Sequence, residues 1–339
     1  MTRRLVPELE ARRHLIEGYT EFGQIPEPVV EQWKAPFGPP EDWDLTIVDQ
    51  VVPGPHGPVP VRVYTPVSAA PDGGRPCLVW MHGGAFVWGD LDMAEAHDVS
   101  CGVAGRADAV VVSVDYRLCP VMPELGGTVG DRVDELGRPI RFPVPQDDCT
   151  AAFDAVRADP ARFGIDQARV AVGGASAGAS LAASVTLRAI RDGRAPWQTL
   201  LLYPMLHPGL PELGAELAEA IADGPAALQF PAWMMAATRR TTLGDEPRVT
   251  DDEVFPGLAA DLGEFPPTYV ENGEFDAFRA SGELFAEQLR AAGVDVVQAT
   301  RPGVPHGHLD LVGFGPARDT LDALAERLAR PVVVPHASA

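Results

Sequence analysis

A mostly parallel α/β sheet with helices on both faces is the fold class this 339-residue chain predicts, from three observations. Short β-rich runs, nearly continuous in apolar residues, recur along the chain, as strands buried on both faces require. Helical patterns separate them, and such alternation builds a doubly wound sheet. Hydrophobic residues make up 46% and charged residues 22%, enough apolar material for one large domain or two small ones.

Taken in order, residues 1–44 are helical in pattern but precede any strand. Alternating runs at 45–52 and 59–64 flank Pro53-Gly54-Pro55-His56-Gly57-Pro58, which predicts an antiparallel hairpin at one sheet edge. Buried strands follow at 77–81 (CLVWM), 109–114 (AVVVSV), 169–172 (RVAV) and 200–203 (LLLY), then at 268–270 and 294–300. Helices fill the gaps at 146–158, where acidic residues suit the N-terminus and Pro160 closes the pattern, and at 177–191. Two more are expected at 282–292, stopped by Gly293, and at 317–329. Residues 207–250 break the rhythm, an excursion too long for a bare loop, and include a helical pattern at 232–240. Trp233, Met234 and Met235 cluster there, as core or as a substrate wall. With residues 1–44 this excursion reads as a helical cap over the sheet.

Charge and composition narrow the function. Asp and Glu number 48 against 27 Lys and Arg, a formal charge of -21. Such a body repels phosphate backbones and anionic lipid, so nucleic acid and membrane partners are disfavoured. No targeting segment and no apolar run of membrane-spanning length is visible, which makes a cytoplasmic location the expectation. Four cysteines are too few for a disulfide framework, and none forms a CxxC pair.

The strongest motif is Gly174-Ala175-Ser176-Ala177-Gly178, between a predicted strand and a predicted helix. With eight serines and 34 glycines, about 0.08 such G-x-S-x-G matches are expected by chance. A turn tight enough to expose a serine needs small neighbours, and all of them are Gly or Ala. The turn puts Ser176 at the carboxyl edge of the sheet, with the helix N-terminus and the Ala177 N–H behind it. The alternative is a Gly-rich turn that serves only close packing. His82-Gly83-Gly84-Ala85-Phe86 follows another strand, and its glycines let backbone N–H groups face a ligand. In acyl transfer such donors hold a developing oxyanion. His82 reads as a structural residue that fixes this loop.

A nucleophilic serine needs a base, and the base an orienting carboxylate, in the chain order Ser, acid, His. His207, His306, His308 and His336 follow Ser176; His306 and His308 sit in a loop after a strand, and His336 in the terminal tail. For the acid, Asp276 leads Glu271, which is too close to its strand, and Glu274, expected to face solvent. These loops leave the same sheet edge as Ser176.

Together these segments resemble the bacterial hormone-sensitive-lipase family of α/β-hydrolases, from residue 45 to the final helix. HGGAF at 82–86 resembles its HGGG motif, DYRLCP at 115–120 its DYRLAP, and GASAG at 174–178 its GDSAG. LLYPML at 201–206, GEFDAFR at 273–279 and PHGH at 305–308 match further family segments. The resemblance implies an α/β-hydrolase fold with a helical cap from residues 1–44 and 207–250, around a core of 45–206 and 251–339. It implies Ser176 as nucleophile, Asp276 as orienting acid, His306 rather than His308 as base, and Gly83, Gly84 and Ala177 as oxyanion donors. It also implies carboxylic ester hydrolysis without metal or cofactor, acting on a small-molecule ester. Acyltransferase, amidase or lactonase activity on the same residues, or a non-catalytic ligand-binding relative, are the alternatives. Phe86, Trp88 and Met234 are candidate pocket walls. Because the base must be neutral, activity is expected to fall toward acid with an apparent pKa of about 6–7.

Departures from the family pattern fall at Ala175, Ala85, Val121 and His308. Residues 121–141 also run some 18 residues longer than the family pattern. That segment is polar and Gly-rich, and suits an exposed loop, a lid at the pocket rim or the contact of a homodimer.

Overall fold

The computed structural model describes residues 3–125, 132–244 and 251–331. Its eight strands are β1 (Leu45–Val52), β2 (Val59–Pro66), β3 (Arg75–Met81), β4 (Val110–Val114), β5 (Ile165–Ala175), β6 (Thr199–Leu202), β7 (Thr268–Gly273) and β8 (Val296–Arg301). They form one sheet in the order β1-β2-β4-β3-β5-β6-β7-β8. β1 and β2 pair antiparallel with Leu45 opposite Pro66, and β2 pairs antiparallel with β4. The remaining pairs are parallel. β3 and β4 are buried throughout, as their unbroken apolar runs require.

The helices are α1 (Pro7–Glu10), α2 (Arg13–Ile16), α3 (Glu27–Trp33), α4 (His97–Ala107), α5 (Val144–Ala158), α6 (Pro160–Phe163), α7 (Ala177–Arg191), α8 (Ala215–Asp223), α9 (Ala232–Leu243), α10 (Arg279–Ala291) and α11 (Gly315–Leu328). α5 and α7 cover one face of the sheet, where Phe153, Val156, Leu181 and Val185 pack on Val79, Val112 and Val172. On the other face Val99, Val103, Leu321 and Leu324 pack on Leu78, Trp80 and Val111. The parallel strands end at one edge, and three of the loops there carry the site.

Two features go beyond the sequence reading. Helix α4 has no counterpart in the sequence reading: its run HDVSCGVAGRA alternates small and polar residues, and it is held by burial rather than by an apolar stripe. The described residues 3–44 are helical as expected, in three short α-helices, because Pro7, Pro26 and Pro28 set starts and Gly18 turns the chain. Of the long segment at 121–141, residues 126–131 lie outside the described residues, as do 245–250 of the 207–250 excursion. No helix among the described residues is long and apolar enough to cross a membrane.

Candidate active site

Ser176 sits between β5 and α7 at φ 54° and ψ -119°, a conformation a non-glycine residue rarely adopts. The backbone is forced there because α7 is pressed against the end of β3. A Cβ at Gly178 would run into the Met81 and His82 carbonyls, and one at Gly174 into the Gly178 backbone. The Ser176 N–H donates to the Leu202 carbonyl at 2.9 Å, which fixes the turn against β6.

Asp276, in the loop after β7, and His306, in the loop after β8, complete a chain of hydrogen bonds. His306 Nε2 lies 2.8 Å from Ser176 Oγ, and His306 Nδ1 lies 2.7 Å from Asp276 Oδ2. The Phe278 N–H donates to Asp276 Oδ1 at 2.8 Å, so both carboxylate oxygens of this buried acid are engaged. Three aromatic rings box the imidazole: Tyr203 and Phe230 with centroids at 4.8 Å, and Phe278 at 5.1 Å.

The competing residues are occupied elsewhere. His308 is fully buried, with Nε2 3.0 Å from Thr320 Oγ1 and 3.5 Å from Glu271 Oε1. Glu271 accepts from Tyr269 and Arg301 at 2.5 Å. Burial pushes its carboxyl up, but His308 and Arg301 outweigh that and hold it at about 2. Glu274 does not face solvent: it pairs with Arg3 at 2.9 Å and accepts the Gly303 N–H at 2.8 Å. His207 contacts Ser281 Oγ at 2.8 Å, and His336 lies outside the described residues.

The His82–Phe86 turn comes within contact of Ser176. His82 is buried, its protonation disfavoured by desolvation, and its ring stacks on Tyr116 at 4.5 Å. The Tyr116 hydroxyl donates to the His82 carbonyl at 2.8 Å. Gly83 requires a correction. Its N–H donates to Glu95 Oε2 at 2.6 Å and so is not free for an oxyanion. Among the described residues the N–H groups of Gly84, Ala85 and Ala177 have no acceptor. Gly84 and Ala85 both have positive φ, 107° and 52°, a backbone conformation that L side chains rarely adopt.

A cavity of about 970 Å³ opens at Ser176 and His306. Phe86, Trp88 and Met234 all line it, together with Leu181, Phe230 and Phe278, and with Phe22 and Trp33 from the N-terminal segment. Leu181, Phe230 and Phe278 had no signal in the sequence that set them apart from core. Among the described residues no group of three or more His, Cys, Asp or Glu is placed to hold a metal ion.

Comparison with known proteins bears on this geometry. The family described by the α/β hydrolase fold matches residues 78–124 and 139–310, a span that contains Ser176, Asp276 and His306. The chain belongs to the α/β-hydrolase family. Within it the chain falls in the hormone-sensitive-lipase branch. Esterase LipI of Mycobacterium tuberculosis is 34% identical over 278 residues, 81% of this α/β-hydrolase and 78% of LipI. Carboxylic ester hydrolase LipN of the same organism is 33% identical over 306 residues, 84% of this chain and 72% of LipN. The hyperthermophilic esterase of the archaeon Pyrobaculum calidifontis superposes with a TM-score of 0.75 at 27% identity, covering 96% and 98% of the two chains. The family match breaks between 124 and 139, inside the segment that the sequence marks as over-long.

Proposed function

We propose that this α/β-hydrolase is a serine carboxylesterase that hydrolyses small to medium carboxylic esters through an acyl-enzyme on Ser176. The observation that carries the reading is the continuous Ser176–His306–Asp276 hydrogen-bond chain at the mouth of an apolar cavity. His306 Nε2 takes the Ser176 proton as Oγ attacks the ester carbonyl, and Asp276 holds the imidazole with Nδ1 protonated. The negative charge that develops on the carbonyl oxygen is met by the N–H groups of Gly84, Ala85 and Ala177, already oriented before reaction. His306 then gives its proton to the leaving alcohol. Water, activated by the same imidazole, attacks the acyl-enzyme, releases the acid and returns the proton to Ser176.

Residues 1–44 and 207–250 act as a cap on the cavity, a reading supported by Phe22 and Trp33 on one side and Phe230 and Met234 on the other. A volume near 970 Å³ accommodates an ester of drug-like size, and hydrophobic walls favour an apolar acyl or alcohol group. The described part of the over-long segment fits a place beside the cavity best, next to the lining residues Cys119 and Phe142. Arg132, midway along it, donates to the carbonyls of Val87 and Cys119, the latter at 2.8 Å, which ties that point to the turn that leads from Phe86.

The test is hydrolysis of p-nitrophenyl esters of increasing chain length by the wild type and by Ser176→Ala. We expect turnover in the wild type and a loss of about 10⁶-fold in kcat in the variant. Equal background rates in both would overturn the assignment.

A further inference from the structure

The oxyanion turn His82–Phe86 contains two glycines, so side-chain packing alone does not fix its peptide planes. A buried carboxyl twelve residues downstream does. Glu95 Oε2 accepts the Gly83 N–H at 2.6 Å, and Glu95 Oε1 accepts the Tyr203 hydroxyl at 2.5 Å. A Cβ at Gly83 would overlap Glu95 Oε2 and lie 3.1 Å from Ser176 Cβ, so this Cα is wedged between the carboxyl and the serine. Glu95 is itself held from behind, because the Trp80 indole donates to its backbone carbonyl at 2.8 Å.

Tyr203, the other partner, directly follows β6 at φ 40°, a left-handed conformation that a bulky residue adopts only when its surroundings impose it. Its N–H donates to the Glu271 carbonyl at 2.6 Å, and its ring edge meets the His306 imidazole at 4.8 Å. One carboxyl therefore connects the turn that carries the free N–H groups to the ring that bounds the base. An apolar side chain would fill the same buried space without the cost of desolvating an acid. That a carboxyl is kept there, with both oxygens engaged by groups of the site, is what calls for a function.

We propose that Glu95 is a positioning residue for ester hydrolysis, locking the oxyanion turn through the Gly83 N–H and bracing His306 through Tyr203. This rests on the carboxylesterase reading above. Glu95 borders the cavity, but both of its carboxyl oxygens are taken, by the Gly83 N–H and the Tyr203 hydroxyl, so it works through those two groups. It acts by consuming the Gly83 N–H, which sets the next two peptide planes so that the Gly84 and Ala85 N–H groups face Ser176. The lock matters most when charge appears on the carbonyl oxygen, so its loss falls on the transition state and not on ground-state binding.

The experiment compares Glu95→Leu, Glu95→Gln and Tyr203→Phe in the full chain, using p-nitrophenyl butanoate and an alkyl trifluoromethyl ketone, which adds Ser176 to form a tetrahedral oxyanion. Glu95→Leu is expected to lower kcat by about 100-fold with KM within about 3-fold, and to weaken the trifluoromethyl ketone in step with kcat. The unfluorinated methyl ketone keeps its affinity. In Glu95→Gln the amide oxygen accepts from Gly83 and its NH₂ donates to the Tyr203 oxygen, so kcat recovers to within about 5-fold of wild type. Tyr203→Phe removes one arm and loses about 5-fold in kcat with KM unchanged. Wild-type kcat in both Glu95→Leu and Tyr203→Phe overturns the proposal, as does a kcat loss with unchanged trifluoromethyl ketone affinity. If circular dichroism shows that Glu95→Leu does not fold, Tyr203→Phe decides: a wild-type kcat there overturns the proposal. Failure of the carboxylesterase reading would appear separately, as a wild type no faster than Ser176→Ala.

Discussion

Asp276 spends its two oxygens differently, and that division makes it separable from its surroundings. Oδ1 accepts the Phe278 N–H at 2.8 Å and Oδ2 meets His306 Nδ1 at 2.7 Å. In Asp276→Asn the amide keeps the loop bond through its oxygen but offers an NH₂ to Nδ1, which stabilises the wrong tautomer of His306 and leaves Nε2 protonated toward Ser176. We expect kcat to fall by about 10⁴-fold while the thermal midpoint moves little, measured by steady-state kinetics and a melting curve. At this scale the sequence was informative where chemistry dictates residue type. Chemistry and chain order singled out Ser176, favoured Asp276 over its glutamate neighbours and left His306 and His308 as bases, and the family resemblance chose His306. It was uninformative about which N–H groups face the oxyanion. Gly83 and Gly84 look alike in HGGAF, and what separates them is Glu95, in the run DLDMAEAHD, which carries no motif. The aromatic box around His306 was hidden for the same reason. Phe230 and Phe278 are ordinary apolar residues until the fold brings them 4.6 Å apart beside the imidazole.

Elements were legible where a local constraint fixes both ends. β1 spans the residues predicted for it, and α7 begins at Ala177 because the elbow must end there and stops at Arg191 before Gly193. α5 starts at Val144, two residues before its predicted start, since Pro145 is tolerated in a first turn where no N–H is needed. The elbow also shows how tightly an element can be held by its missing atoms. Gly178 lets the first turn of α7 rest on the Met81 and His82 carbonyls, backbone atoms that cannot swing aside. Gly178→Ala should therefore push α7 off β3, cost upward of about 2 kcal/mol in stability, and displace Ser176 from His306. Urea unfolding and ester turnover together check it. A variant with wild-type stability and activity would mean that the close approach of α7 to β3 does not set the nucleophile's position. Gly209→Ala, where a Cβ meets nothing, is the matched control.

At the scale of the whole molecule, two buried carboxyls near the site respond to acid in opposite directions. Glu271 joins β7 to β8 through Arg301 and to α11 through Thr320, which donates to Glu271 Oε1. Its carboxyl is held at about 2, below the usual 4.5, so it stabilises the fold fully above about pH 4.5. That contribution drains away as the pH falls toward 2, and a shift of this size is on the order of 3 kcal/mol. Glu95 is displaced upward, by burial first and then by the charge of Asp310. A group of that kind penalises the folded state as the pH rises through its ordinary value, because the unfolded chain releases the proton more readily. Glu95→Gln should therefore be more stable than the wild type at pH 7, and the gain should shrink below about pH 4.5, where both states are protonated. Glu271→Gln should be less stable at pH 7 and lose less on acidification. Chemical denaturation of the three proteins at pH 7, 4.5 and 3 measures all of this. Parallel pH curves for wild type and Glu95→Gln would show that Glu95 carries no titration linked to folding, even if its hydrogen bonds position the turn. The opposed curves, if found, locate where stability and catalysis diverge: Glu271 lies on the strands that hold the sheet together, whereas Glu95 is retained against a stability cost, as expected of a group selected for what it does to Gly83 and Tyr203.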